Sequence, residues 1–379
     1  MSTYPIISAD SHITEPPNCY TDYVDSAWRA RAPRIDRRAD GDVFVIDGMK
    51  QAVNLGLVAA AGKPAEEITL KGGKFEELHR GGWDPDARMK DQARDGVAAE
   101  VIYPTVGMLL CSHKDFAYKR ACFAGYNRWL AEFCSAHPTR LVGMGQTAMA
   151  SPEDGIAELQ AVKRLGLRGV MMPGNPAVED YDSPVYDDFW RAALDLELPI
   201  AFHILTSKDD VLVKPRGPKM NGFLTIIRGC QDVIGTMLLG GVFERHPRLK
   251  IVCVEADAGW VPHYMYRMDH AFKRHRNWLP PGQALSKLPS EYFRENVYTT
   301  FQDDWVAFKT ADLMNWERLM WANDFPHSDS TWPWSQDLLA AHQADLRPEQ
   351  RERILSGNAA DLFTIDVAGL MGEANRSDG

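Results

Sequence analysis

Residues 4–16 read YPIISADSHITEP. A β-rich run, Tyr4–Ala9, stops at Asp10, and His12 follows two positions later, so both side chains leave one strand end on the same face. Glu15 stands three residues further on, ahead of two prolines and within reach of the same point. An acid and an imidazole at a strand mouth make a metal-chelating pair; a helix N-cap followed by a polar loop histidine is the plainer alternative. Working outward, seven more short apolar runs recur, at Ala99–Tyr103, Leu141–Gly145, Gly169–Met172, Ile200–His203, Ile251–Glu255, Val297–Thr300 and Leu319–Ala322. Helical stretches at Asp115–Ala136, Pro152–Leu165, Tyr186–Leu196 and Trp260–Lys273 separate several of them. Strands alternating with helices build parallel sheets with crossover connections. Eight such units suit a closed (β/α)8 TIM barrel, an α/β fold whose functional side chains gather at the C-terminal strand ends.

A chain of 379 residues fits one barrel carrying insertions, since barrels of ~250 residues form single domains. The expected domain covers residues 1–370, with an insertion at 34–95 between the first strand and the first helix, and a flexible tail at 371–379. Within the insertion, VFVI runs into the Asp47-Gly48 turn pair, a hairpin signal, and a Gly-rich section follows through Arg80, Gly81, Gly82 and Trp83. A second excursion, Leu205–Asn221, carries Lys208, Lys214, Arg216 and Lys219, with Arg228 just beyond. It reads either as a lid or subunit contact or as a solvated surface loop.

The formal net charge of -10 disfavours nucleic acid or an anionic membrane as partner and suits a small-molecule substrate. The six cysteines form no C-x-x-C pair and several sit in apolar runs, so they read as reduced core residues of a cytoplasmic protein. No basic and apolar leader opens the chain, and no segment reads as a membrane span.

Three further segments carry chemistry. IAFHILTS places His203 at a strand end facing the mouth, as ligand or as a satisfied core histidine. IVCVEADAGWVPHYMYRMDH ends a buried strand in Glu255, a carboxylate that needs a cation or strong hydrogen bonds there. The helix that follows puts His263 in its first turn, as ligand or as part of an ordinary His263, Arg267, His270 surface stripe. LMWANDFPHSDSTWPWS sets Asp324 just past a strand, with His327 three residues on. Trp260, Tyr264, Trp332 and Trp334 suggest a partly apolar substrate pocket or plain packing, and Arg267 is a candidate partner for a substrate carboxylate.

The acid-x-His pair after the first strand, the histidine closing the fifth and the aspartate after the eighth resemble the amidohydrolase superfamily. The order is similar to the branch containing aminocarboxymuconate-semialdehyde decarboxylase and the resorcylate-type decarboxylases, over about residues 4–365. The resemblance implies metal ligands at Asp10, His12, His203 and Asp324, the last doubling as a proton-transfer group. Two departures stand out. Glu255 replaces the histidine of the family's decarboxylases at the sixth strand, and RGVMMPGN lacks the lysine that hydrolytic relatives carboxylate. The DSHITEP, EADAGWVPHYMYRMDH and NDFPHSDSTWP segments look like a sub-branch that includes dinuclear iron or manganese oxygenases.

Four carboxylates (Asp10, Glu15, Glu255, Asp324) and four imidazoles (His12, His203, His263, His327) exceed what one ion can use. The expected set is therefore Asp10, His12, Glu15, His203, Glu255, His263 and Asp324 on two iron or manganese ions, with Asp324, His327 and Glu255 catalytic and Arg267, Trp260 and Trp332 on substrate. The leading expectation is a dinuclear monooxygenase that hydroxylates a small organic acid using an external electron donor. The alternative is a decarboxylase or hydrolase with one zinc or manganese ion. A structural subunit paired with a catalytic relative is a third reading. Assembly is expected as a homo-oligomer or with a related chain.

Overall fold

The computed structural model describes residues 4–69, 71–207, 217–218, 220–279 and 284–377, without the side chains of residues 343 and 373–377. Its centre is an eight-stranded parallel sheet curled into a barrel, in the order β1 (Ile7–His12), β2 (Ala99–Tyr103), β3 (Leu141–Gln146), β4 (Gly169–Met172), β5 (Ile200–His203), β6 (Ile251–Val254), β7 (Val297–Phe301) and β8 (Leu319–Trp321). Every residue of these strands is buried, because helices cover the outside and packed side chains fill the interior. The barrel closes where the Asp324 amide donates to the Asp10 carbonyl (3.0 Å) and the His12 amide to the Phe325 carbonyl (2.7 Å). A register shift between Ser8 and Ser11 kinks β1 against β2 just where Asp10 leaves the strand.

Two boundaries differ from expectation in a telling way. β1 extends to His12, and β6 stops at Val254, where Glu255 turns to a positive φ of 56°. The segment expected as insertion also contains the barrel's first helix, Pro85–Asp95, capped by Asp84, which accepts from the Asp86 and Ala87 amides, and ended by left-handed Gly96. The true insertion is thus residues 13–84. It holds a three-stranded antiparallel sheet (Arg34–Asp36, Val43–Val45, Val53–Asn54), with Asp47-Gly48 turning between the last two strands.

The last helix, Val367–Ser377, runs through most of the tail expected to fray. Asp366 caps the Gly369 amide and Leu370 is buried, which anchors its first turn. The basic residues Lys208, Lys214, Arg216 and Lys219 lie outside the described residues. All six cysteines are buried and none forms a disulfide.

One stretch, Asn221–Leu239, does reach the length and hydropathy of a membrane span, contrary to the sequence reading. It consists of helices Asn221–Thr225 and Arg228–Leu239, the second burying Cys230, Val233, Ile234, Met237 and Leu238.

Candidate metal centre

The C-terminal mouth of the barrel draws four strand ends together. β1 contributes Asp10 and His12, β5 His203, β6 Glu255, and the segment after β8 Asp324 and His327. Glu255 and Asp324 both sit at positive φ (56° and 53°), a conformation that costs a side-chain-bearing residue about 1–3 kcal/mol and aims each carboxylate inward. The Thr300 hydroxyl accepts the Glu255 amide at 2.9 Å and helps hold that turn.

The spacing of the donor atoms is that of a coordination shell. His12 Nε2 lies 3.4 Å from Asp10 Oδ1, 3.5 Å from Glu255 Oε2 and 3.4 Å from Asp324 Oδ1. His203 Nε2 lies 3.6 Å from Asp10 Oδ1 and 3.3 Å from Glu255 Oε2. Ligands about 2.1 Å from one ion in a tetrahedron stand about 3.4 Å apart. Both Asp10 oxygens, both Asp324 oxygens, Glu255 Oε2 and the Nε2 atoms of His12 and His203 are buried without a hydrogen-bond partner. Buried carboxylates and imidazoles left so are costly unless a cation satisfies them. The other ring nitrogens are engaged: His12 Nδ1 is 2.9 Å from the Pro104 carbonyl and His203 Nδ1 3.1 Å from the Ile204 carbonyl. Each Nδ1–H donates outward, which leaves the Nε2 lone pair facing the centre. The residues present therefore fit a divalent ion, and an oxygen and nitrogen donor set without thiolate suits manganese as well as zinc.

Electrostatics agree. Burial pushes Asp324 well above the usual carboxylate range, and the nearby Glu255 and Asp10 carboxylates push it the same way. Burial also raises Asp10, but its contacts with His12 and His203 outweigh this and hold it below that range. Burial works against a charged His12, yet Asp10 and Glu255 carry its pKa up to about 9. A cation would take the place of that proton. Burial, together with His12 and His203, keeps His327 neutral.

The centre has an open side. The side chains of Asp10, His12, His203 and Asp324 have no exposed surface, whereas Glu255 is 11% and His327 10% exposed.

Several expected site residues lie elsewhere. Glu15 lies outside the ligand groups: its Oε1 accepts from the Thr105 and Val106 amides at 3.1 and 2.9 Å, just past the end of β2. His263 and Arg267 are exposed, since the helix Val261–His275 buries Val261, Met265 and Met268 and turns the opposite face to solvent. Trp260 packs its ring on Tyr264 and Phe293 and donates to the Ala256 carbonyl at 2.7 Å. Trp332 is buried with Ala61 of the insertion and Phe325, and it donates to the Asp91 carbonyl of the helix Pro85–Asp95 at 2.9 Å. Trp334 is exposed.

Thr105 escaped the sequence reading. Its hydroxyl donates to the Ile13 carbonyl (2.6 Å) and stands 2.9 Å from His327 Nε2, a contact that only the meeting of β2 and the β8 loop creates.

Comparison with known proteins places these features in a family. The chain is 25% identical over 308 residues to 2-amino-3-carboxymuconate-6-semialdehyde decarboxylase of Dictyostelium discoideum, covering 79% of this chain and 82% of the relative. Its fold matches an amidohydrolase from Mycobacterium avium subsp. paratuberculosis with a TM-score of 0.78 and 19% identity, covering 97% of this chain and all of the other. It also matches 5-carboxyvanillate decarboxylase of Novosphingobium aromaticivorans, solved with manganese, with a TM-score of 0.69, 19% identity and 96% of each chain covered. The expected dinuclear monooxygenase is overturned by the curated relative, whose named activity is decarboxylation. The amidohydrolase family profile matches residues 10–365, nearly the whole barrel with every ligand candidate, and this chain belongs to that family.

Proposed function

We propose that this chain is a divalent-metal-dependent decarboxylase of a small organic carboxylate, with one ion held by Asp10, His12, His203, Glu255 and Asp324. The observation that carries this reading is the set of orphaned donor atoms, with His12 Nε2 at 3.4–3.5 Å from Asp10, Glu255 and Asp324 and His203 Nε2 at 3.3–3.6 Å from Glu255 and Asp10. His12 Nε2, common to the two overlapping ligand groups, carries a single lone pair that can serve only one ion, which favours one ion over two. The names of the relatives favour decarboxylation, and β4 offers no lysine to bridge a second metal.

When bound, the ion supplies a Lewis acid that orients the substrate and stabilises negative charge. The protein's own part is to manage one proton. Loss of carbon dioxide leaves an electron pair on carbon, and a proton must take its place. The Asp324 Oδ1 and His327 Nδ1 pair, 3.1 Å apart, is the group placed to hold that proton, and His327 is reachable from the open side. Thr105 steadies the ring from behind. Glu255, also on the open side, sets how closely a substrate carboxylate approaches.

The test couples metal analysis to a gas assay. The purified chain is expected to hold about one equivalent of manganese or zinc and to release carbon dioxide from 5-carboxyvanillate or a related hydroxylated aromatic acid, with one proton taken up per turnover. Hydrolysis of an ester or amide without carbon dioxide release across an aromatic and aliphatic acid panel would overturn the reading.

A further inference from the structure

A fully buried arginine lies beneath the metal centre without touching it. Arg88, on the inward face of the helix Pro85–Asp95, has no exposed surface and pairs with buried Glu100 of β2 at 2.6 Å. Its Nη1 donates to the His12 carbonyl at 2.7 Å and the Gly81 carbonyl at 3.3 Å, and its Nη2 to the Phe325 carbonyl at 3.4 Å. One guanidinium thus grips the backbone beside a ligand of β1, the backbone beside Asp324, and the end of the insertion. The same helix turns Gln92 and Asp95 inward, at i+4 and i+7 from Arg88. Gln92 donates to Glu100 at 2.7 Å, and Asp95 accepts from the Asn323 side-chain amide at 3.0 Å and the Ser335 hydroxyl at 2.6 Å. Ser11 closes the circuit by donating to Asn323 Oδ1 at 2.9 Å, and the Asn323 amide donates to Ser8 Oγ at 2.9 Å.

The placement matters because this is the seam where the barrel closes. The other seams are parallel ladders, while β1 and β8 meet through two backbone hydrogen bonds at their outer ends. Four of the candidate metal-binding side chains, Asp10, His12, Asp324 and His327, flank this one seam.

We infer that Arg88, with Asp95 and Asn323, is a positioning residue that sets the distance across the β1/β8 seam and so the affinity of the centre for its ion. This inference rests on the metal-dependent reading above. A planar guanidinium with donors in a fixed fork holds three carbonyls and a carboxylate at once, which a lysine ammonium cannot do. The helix that clamps the seam is also tied to the insertion through Gly81, so a shift of the insertion is felt as a change in ligand spacing.

The test compares wild type, Arg88→Lys, Ser11→Ala and, as a control, Asn296→Ala. Asn296 ties the Pro247 and Leu249 carbonyls at the opposite end of the barrel (2.9 and 2.7 Å), so its loss weakens the fold away from the seam. Manganese affinity is read by chelator competition and the Mn(II) environment by electron paramagnetic resonance, beside the melting temperature. Loss of groups that orient metal ligands typically costs about 10–100-fold in affinity, and Arg88→Lys is expected in that range with an altered resonance. Asn296→Ala is expected to lower the melting temperature with affinity unchanged. An Arg88→Lys chain that folds and binds manganese within twofold of wild type overturns the inference, as does an equal loss in Asn296→Ala. Should Arg88→Lys fail to fold, Ser11→Ala carries the test, since it removes seam hydrogen bonds without removing a charge; unchanged affinity there overturns the inference. A wild-type chain that takes up no manganese or zinc overturns the metal-dependent reading as well.

Discussion

His327 Nδ1 lies 3.1 Å from Asp324 Oδ1, and the opposite nitrogen of the same ring is 2.9 Å from the Thr105 hydroxyl. That hydroxyl spends its proton on the Ile13 carbonyl, so it accepts from His327 Nε2–H. The ring therefore shows Asp324 a bare lone pair, and this Nδ1 is the atom placed to take and return a proton at the mouth. Replacing His327 by Gln is expected to lower kcat by roughly 10²–10⁴-fold, the usual share of a proton-transfer group, with the metal retained. Steady-state kinetics beside metal analysis check this; loss of the ion together with activity would instead make His327 a ligand.

Metal uptake should depend on pH in a defined sense. Asp10 and Glu255 raise His12 against the opposing effect of burial, up to about 9, so below that pH the ion must displace a proton from His12. Affinity is expected to rise with pH until about 9 and then level off. Calorimetry in buffers of different ionisation enthalpy should register at least one proton released per ion at neutral pH.

Glu15 predicts a stability effect apart from the metal. Burial raises its pKa to about 7 against the pull of the backbone amides it accepts from, from an ordinary value of 4.5. The folded chain thus holds the Glu15 proton more tightly than the unfolded chain. The associated stability is fully present below pH 4.5 and lost as pH rises through about 7. Glu15→Gln keeps an acceptor for the Thr105 and Val106 amides and should remove this component. Urea melts of both proteins across the window are expected to diverge as pH rises; parallel curves would refute the assignment.

Arg267→Ala and His263→Ala should leave kcat, KM and metal content within about twofold of wild type, since both side chains are exposed on the outer face of their helix. A large rise in KM for Arg267→Ala would return that residue to the substrate site.

At the packing between insertion and barrel, Gly62 has φ +75°, and a Cβ there would meet Trp332 Cζ3 at 2.8 Å. Gly62→Ala is expected to destabilise by about 1–3 kcal/mol, measured as a shift in the denaturant midpoint.

Much of this protein is local. Most barrel strands announce themselves as short, mainly apolar runs, because a strand buried on both faces has little use for unpaired polar groups, and the polar residues β1 and β2 do carry are tied into the metal centre and the Arg88 network. Asp10, His12, His203, Glu255 and Asp324 could be picked out for the same reason: a polar residue at the end of such a run has few uses other than at the mouth. The helix Pro85–Asp95 was missed although Asp84, Pro85 and Gly96 mark both its ends, because its inward face carries Arg88, Gln92 and Asp95 in place of the apolar stripe that identifies a helix.

What the sequence by itself determined is the order of strands, the barrel and the ligand types at five strand-end positions. What only the tertiary structure decided is which neighbours of those positions share the centre. Glu15 stands closer to His12 in the chain than Glu255 does, yet Glu255 reaches the centre, 3.5 Å from His12, while Glu15 serves the Thr105 amide. Sequence distance constrains a side chain's reach but not its direction. Direction is set by barrel closure, which joins residues 12 and 325 by a backbone hydrogen bond and brings together groups that no local pattern relates.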